Sequence, residues 1–185
     1  MTPEEQAAAE QVRATFDRVV AEGLKAESVA GASDEQVDAW AAAQGVTTVP
    51  AAVREALRIV GVTRGLWLAG SAMGVEAVTE RSKRQALATL ADLPDPLRDA
   101  AGMLVLVEHQ AYSYHVVDGA DLDQPDPPVW VINEGEGVQQ YWPSVTYWFD
   151  GTAPSVKQYR SRLRLMRKQG SKLVPSWGDY IRLDD

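Results

Sequence analysis

The stretch Met103-Leu-Val-Leu-Val-Glu-His-Gln-Ala-Tyr-Ser-Tyr-His-Val-Val117 decides the fold. Two runs of aliphatic, β-branched and aromatic residues flank the pair Gln110-Ala111, the pattern of a β-hairpin. With a two-residue loop, residue 109 faces 112 and residue 115 faces 106. Strand alternation then puts His109 and His115 on opposite faces, with Glu108 diagonally beside His115. Downstream, Val129-Trp-Val-Ile132 reads as a further strand and 133–137 as a loop. Ser144 is placed to cap a short helix carrying Val145, Trp148 and Phe149, which Gly151 breaks. Upstream, Gly65-Leu-Trp-Leu-Ala-Gly70 is a short apolar run between glycines and reads as a buried strand, and Leu87 and Leu90 mark a helix stopped near Pro94.

Three helices are expected before any strand. Thr2-Pro3-Glu4-Glu5 is an N-cap, a proline at the first helical position and a capping-box glutamate, ahead of Val12, Phe16, Val19 and Val20 at helical spacing. Ser33-Asp34-Glu35-Gln36 repeats that logic before Val37, Trp40 and Ala41, with Gly45 past the helix end. Pro50 suits the first turn of the third helix, whose Val53, Leu57 and Val60 share one face. Near the C-terminus, Ser155 to Lys168 reads as an amphipathic basic helix packing through Val156, Tyr159, Leu163 and Met166, followed by an apolar clip of Trp177, Tyr180 and Ile181. The expected fold is α+β: a mixed or mainly antiparallel sheet, N-terminal helices packed on it and an amphipathic C-terminal helix. We read one domain, with 1–32 as a helical extension, 34–149 as the core and 155–185 as basic helix and tail.

Charge is distributed unevenly over the 185 residues. Up to Val156 there are 10 Lys and Arg against 23 Asp and Glu, whereas 157–185 holds 8 against 3. Between Arg98 and Lys157 stand nine acids and no base. Such a field repels nucleic acid and favours a basic partner. The basic terminal helix reads as docked, with a solvated cationic face. The chain has no cysteine, which excludes disulfides and thiolate chemistry. Glu4, Glu5, Glu10 and Asp17 interrupt the start of the chain, and no apolar run approaches the ~20 residues of a membrane span, so we expect a cytoplasmic location with no membrane partner.

Catalytic and metal signatures are not found. No P-loop, dinucleotide fingerprint, nucleophile elbow or H-E-x-x-H occurs. Gly70-Ser71-Ala72 lacks the glycine spacing of an elbow, and the prolines among Asp118, Asp121, Asp123 and Asp126 break any EF-hand order, leaving a solvated acidic loop. A hydrolase built on His115 and Glu108 lacks a nucleophile near in sequence. No catalytic residue, metal or cofactor is expected.

Residues 34–46, from Asp34 through Trp40 to Val46, followed by Val49-Pro-Ala-Ala-Val-Arg-Glu-Ala-Leu-Arg-Ile-Val-Gly61, resemble the paired helices of the SUKH superfamily. Leu104 to His109, Ala111-Tyr-Ser-Tyr114, Asp126-Pro-Pro-Val-Trp-Val131 and Ser144 to Phe149 are similar to its later strands and closing helix. The resemblance covers 34–149, and the segment 155–185 has no counterpart. It implies an α+β fold and a non-catalytic immunity protein that neutralises a toxin, often a nuclease, by direct binding. A scaffold or regulatory domain with a peptide or small-ligand groove is the alternative. For a basic toxin domain we expect charge contacts from Glu108, Asp126, Glu134 and Glu136 and apolar anchors in Tyr112 and Trp142.

Overall fold

In a computed structural model, residues 1–183 are described. Helix α1 (Pro3–Ala21) starts at the Thr2/Glu5 capping box, and α2 (Asp34–Ala43) at the Ser33/Gln36 box. Helix α3 (Ala51–Val60) begins directly after Pro50. Val12 and Val19 of α1, Val37 and Trp40 of α2, and Val53 and Val60 of α3 are buried in one cluster. The polar rim of that packing is an ion-pair chain: the buried Glu55 carboxylate takes Arg13 at 2.8 Å and Arg58 at 3.4 Å, and Arg58 and Arg54 reach Asp34.

Strands β1 (Ala72–Met73), β2 (Leu104–His109), β3 (Ser113–Val117), β4 (Val129–Asn133) and β5 (Gly137–Trp142) form one sheet in sequence order, each pair antiparallel. Helix α4 (Glu80–Leu90) covers one face, burying Ala86 and Leu90 with Val105, Tyr114, Val116 and Ile132. The other face carries Leu104, Val107, Val117 and Val129 into the cluster built by α1 to α3 and by α5 (Val145–Gly151), which Ser144 caps. Helix α6 (Val156–Lys168) docks as its pattern predicts, with Val156 and Leu163 buried, Tyr159 and Met166 half-buried and its cationic residues mostly outward. Tyr159 meets Trp177 edge-on at 5.0 Å, and the clip closes with Ile181 bridging Leu24.

Three expectations are corrected. The segment 65–70 is a series of turns, not a strand. Gly65, Leu68 and Gly70 adopt φ of 57°, 45° and 90°, and the Arg64 guanidinium donates to the carbonyls of Leu68 and Ser71. Its apolar character is used instead to bury Trp67, which stacks on Phe149 at 4.7 Å. Hydrophobicity reported burial there and said nothing of extension.

The second correction concerns β5, which was not read from the sequence at all. Gly135 and Gly137, at φ 74° and 125°, turn the chain back, and Val138 to Trp142 pair along β4.

The third is the register of the hairpin. Gln110 and Ala111 do form its turn, at φ 48° and 59°, but the ladder resumes with His109 opposite Ser113, and β2 bulges between Val105 and Val107. His115 therefore faces Val107, and since Val107 and His109 share a side of β2, both imidazoles lie on the same face. Glu108, opposite Tyr114, is on the other face and does not sit beside His115.

Candidate partner-binding surface

The β2–β3 and β4–β5 turns come together at one end of the sheet. Glu134 N–H donates to the Tyr112 carbonyl at 2.8 Å, and Asn133 lies opposite Ser113. Tyr114, buried beneath this end, reports two of the acids above it. Burial first, then the charges of Glu108 and Glu134, push its phenol above the ordinary range. Its hydroxyl donates to the Ala111 carbonyl at 2.9 Å, which ties the turn to the strand below. Asn133 Nδ2 donates to Glu136 at 3.3 Å. Glu134 and Glu136 are exposed, Glu108 is half-buried, and Tyr112 is 42% exposed with its ring edge-on to His109 at 5.3 Å. Four of the six expected contact residues thus lie at one end of the sheet.

The other two are elsewhere. Val129 pairs with Trp142 at the far end of β4 from the 134–136 turn. Trp142 is half-buried there, 5.2 Å from the His115 ring and tight against Gly151, where a Cβ would meet the indole nitrogen at 2.9 Å. Asp126 spends both carboxylate oxygens on Thr146, accepting its N–H at 2.9 Å and its hydroxyl at 2.6 Å, and so anchors the first turn of α5. The acidic loop around it is not uniformly solvated as expected. Asp118 is buried and accepts from the N–H groups of Arg98, Asp99 and Ala120. Burial pushes its carboxyl up, and those three donors outweigh burial and hold it below the usual carboxylate value. Asp121 is also buried, paired with the Arg98 guanidinium. A proline-rich loop has few backbone donors of its own, so its aspartates serve as acceptors for the neighbouring backbone.

Two aromatic residues whose types read as core are exposed instead: Tyr141, at 57%, and Tyr147, at 60%. The signal for the first was present, because Glu134-Gly-Glu-Gly137 is a glycine turn leading back from one apolar run into another.

The imidazoles have distinct surroundings. Trp148 Nε1 donates to His115 Nδ1 at 3.0 Å, so Nδ1 is an acceptor and the ring is neutral. Burial, then the neighbouring His109, lowers its pKa from 6.5 to about 4. His109 Nδ1 lies 2.8 Å from Ser71 Oγ, a serine–histidine contact across 38 positions that sequence spacing concealed. Among the described residues no carboxylate hydrogen-bonds to His109, and no three His, Cys, Asp or Glu groups gather to hold a metal ion.

Compared with protein-family models the chain matches none, and it matches no curated protein. Among the described residues no helix is long and apolar enough to cross a membrane.

Proposed function

We propose that this chain is a non-catalytic, cytoplasmic binding protein that neutralises a cognate bacterial toxin, a basic domain such as a nuclease, by docking the acidic end of its sheet onto the toxin's cationic cleft. The observation that carries this reading is the gathering of Glu108, Glu134, Glu136 and the exposed Tyr112 in a stretch, 99–156, without a basic residue. Acids at the rim accelerate capture of a cationic partner, and an exposed tyrosine supplies area at low entropic cost. The resemblance of 34–149 to SUKH immunity proteins supports the same role. The non-catalytic reading is supported by the imidazoles: the His115 Nδ1 lone pair is engaged by Trp148, and among the described residues no carboxylate hydrogen-bonds to His109 beside Ser71.

Replacing Glu134 and Glu136 together with lysine is expected to slow association with the toxin domain about 3- to 10-fold at low salt and to flatten its salt dependence, with folding unchanged. Stopped-flow association at several ionic strengths reads this. Unaltered kinetics in the folded double variant would move the interface away from this end.

A second reading, a regulatory domain with a ligand groove, is favoured by a cleft of about 450 Å³ between Leu66, Leu68 and the α5–α6 junction at Pro154, Tyr159 and Arg162. That volume lies within the small-ligand range. Peptide and metabolite libraries that shift the melting temperature in the wild type but not in Tyr159→Ala would support it.

A further inference from the structure

We propose that the chain self-associates through β5, which pairs antiparallel with the β5 of a second copy across a two-fold axis at Gln139, joining the two sheets. The two edges of the sheet are unlike. At one, β1 is only two residues long, and the chain beyond it is held by Val75 N–H donating to the Gly61 carbonyl. At the other, β5 spans six residues. Among the described residues, no hydrogen bond beyond those to β4 engages the backbone of 138–141. Gln139 lies on the face of Val131 and Gln140 on the face of Trp130, and both are exposed, so the packed layers meet β5 only toward its ends, through Val138 on the α4 side and Trp142 against Gly151 of α5.

Natural edges are guarded by lysine, proline or an inward charge, and Gly137-Val-Gln-Gln-Tyr-Trp142 contains none of these. A bulge opposite Val129 and Trp130 is the single irregularity, and it leaves 137–140 in regular pairing. The occupant is chosen by charge. From Gly137 to Phe149 the chain carries no ionised side chain, in a protein of net charge −8. This is the stretch of its acidic region on which a second copy can rest without repulsion. The same argument selects the direction. Parallel pairing would set Glu134 and Glu136 against their own counterparts. Antiparallel pairing centred on Gln139 sets Glu136 opposite Trp142 and Glu134 opposite Ser144, both uncharged. Tyr141, exposed beside the pairing, supplies apolar area to the neighbouring copy.

Sedimentation equilibrium of the full chain from roughly 1 μM to roughly 500 μM is expected to show a monomer–dimer equilibrium, as a short ladder with little apolar burial gives a modest affinity. Gln139→Lys combined with Gln140→Lys places four cations at the axis and is expected to weaken the dimer at least about 10-fold while leaving the melting temperature within a few degrees. Should that variant misfold, the absence of native cysteine offers an independent route. Gln139→Cys or Gln140→Cys is expected to form a disulfide-linked dimer on mild oxidation, while Ala69→Cys, exposed and just before β1 at the other edge of the sheet, forms no such cross-link. A monomer throughout the range, a dimer indifferent to the lysine pair, or cross-linking no greater than that of Ala69→Cys would each overturn the proposal.

Discussion

Replacing Gln44 with alanine is expected to cost about 2–4 kcal/mol of folding stability, read as a lower denaturation midpoint with an unchanged m-value. Gln44 ends α2 and is buried, and its side-chain amide completes the sheet. The Val105 N–H donates to Oε1 at 2.9 Å, and Nε2 donates to the Val105 carbonyl at 3.3 Å. Both groups of one residue point to the same side of an antiparallel strand, here away from β3, where β1 pairs only with Val107 and Glu108. The glutamine stands in for the missing stretch of edge strand. Its own carbonyl accepts from the buried Lys83 ammonium at 2.6 Å, and burial lowers the pKa of that lysine. Truncation leaves a buried donor and a buried acceptor unmet, each worth about 1–3 kcal/mol, and water entering the vacated space recovers part of the sum. Gln44→Leu, similar in volume but unable to bond, separates hydrogen bonding from packing and should cost nearly as much. A loss below about 1 kcal/mol in both variants would show that Val105 is satisfied another way.

Stability is expected to fall by an amount on the order of 3 kcal/mol between pH 6.5 and pH 4 through His115 alone. Burial against Trp142 and Trp148, then His109, depresses its pKa to about 4 in the folded protein. The unfolded chain protonates near pH 6.5, so within that window it binds more protons than the native state, and stability rises with pH. The contribution is fully present above pH 6.5 and is lost as the pH falls toward the folded pKa. Protonation would also turn Nδ1 into a donor facing the Trp148 N–H, which can only donate. His115→Gln retains an acceptor for that indole and cannot titrate, so its stability should change less steeply over the same interval. Chemical denaturation at half-unit pH steps compares the two slopes, and the imidazole proton shift should titrate near pH 4 in the folded protein. A midpoint at 6 or above would sink the prediction.

The sequence by itself determined what depends on residues within a turn or two of each other. The Thr2/Glu5 and Ser33/Gln36 boxes set the starts of α1 and α2, Ser144 that of α5, and the spacing of Val156, Tyr159, Leu163 and Met166 set the buried side of α6. Each is a local exchange of backbone hydrogen bonds or a periodic burial, complete within the segment that encodes it. The acidic character of 99–156 was likewise legible, because net charge needs no geometry.

Only the tertiary structure decided what depends on partners distant in the chain. The hairpin turn keeps three residues, 110–112, so that His109 pairs with Ser113 and both histidines come to one face, and the bulge between Val105 and Val107, where an amide from α2 bonds Val105, returns Leu104 and Val105 to the register of a two-residue loop. Ser71 meets His109 because the 65–70 turns, fastened by Arg64 and Trp67, deliver it there. Asp118 and Asp126 look like solvated loop acids until the amides of Arg98 and Thr146 are brought against them. The register moves by one residue when the turn keeps one residue more than a two-residue loop, and alternation then reverses which face each side chain takes. The four acidic and aromatic residues at the end of the sheet were therefore readable as residue types, and their gathering at that end was not.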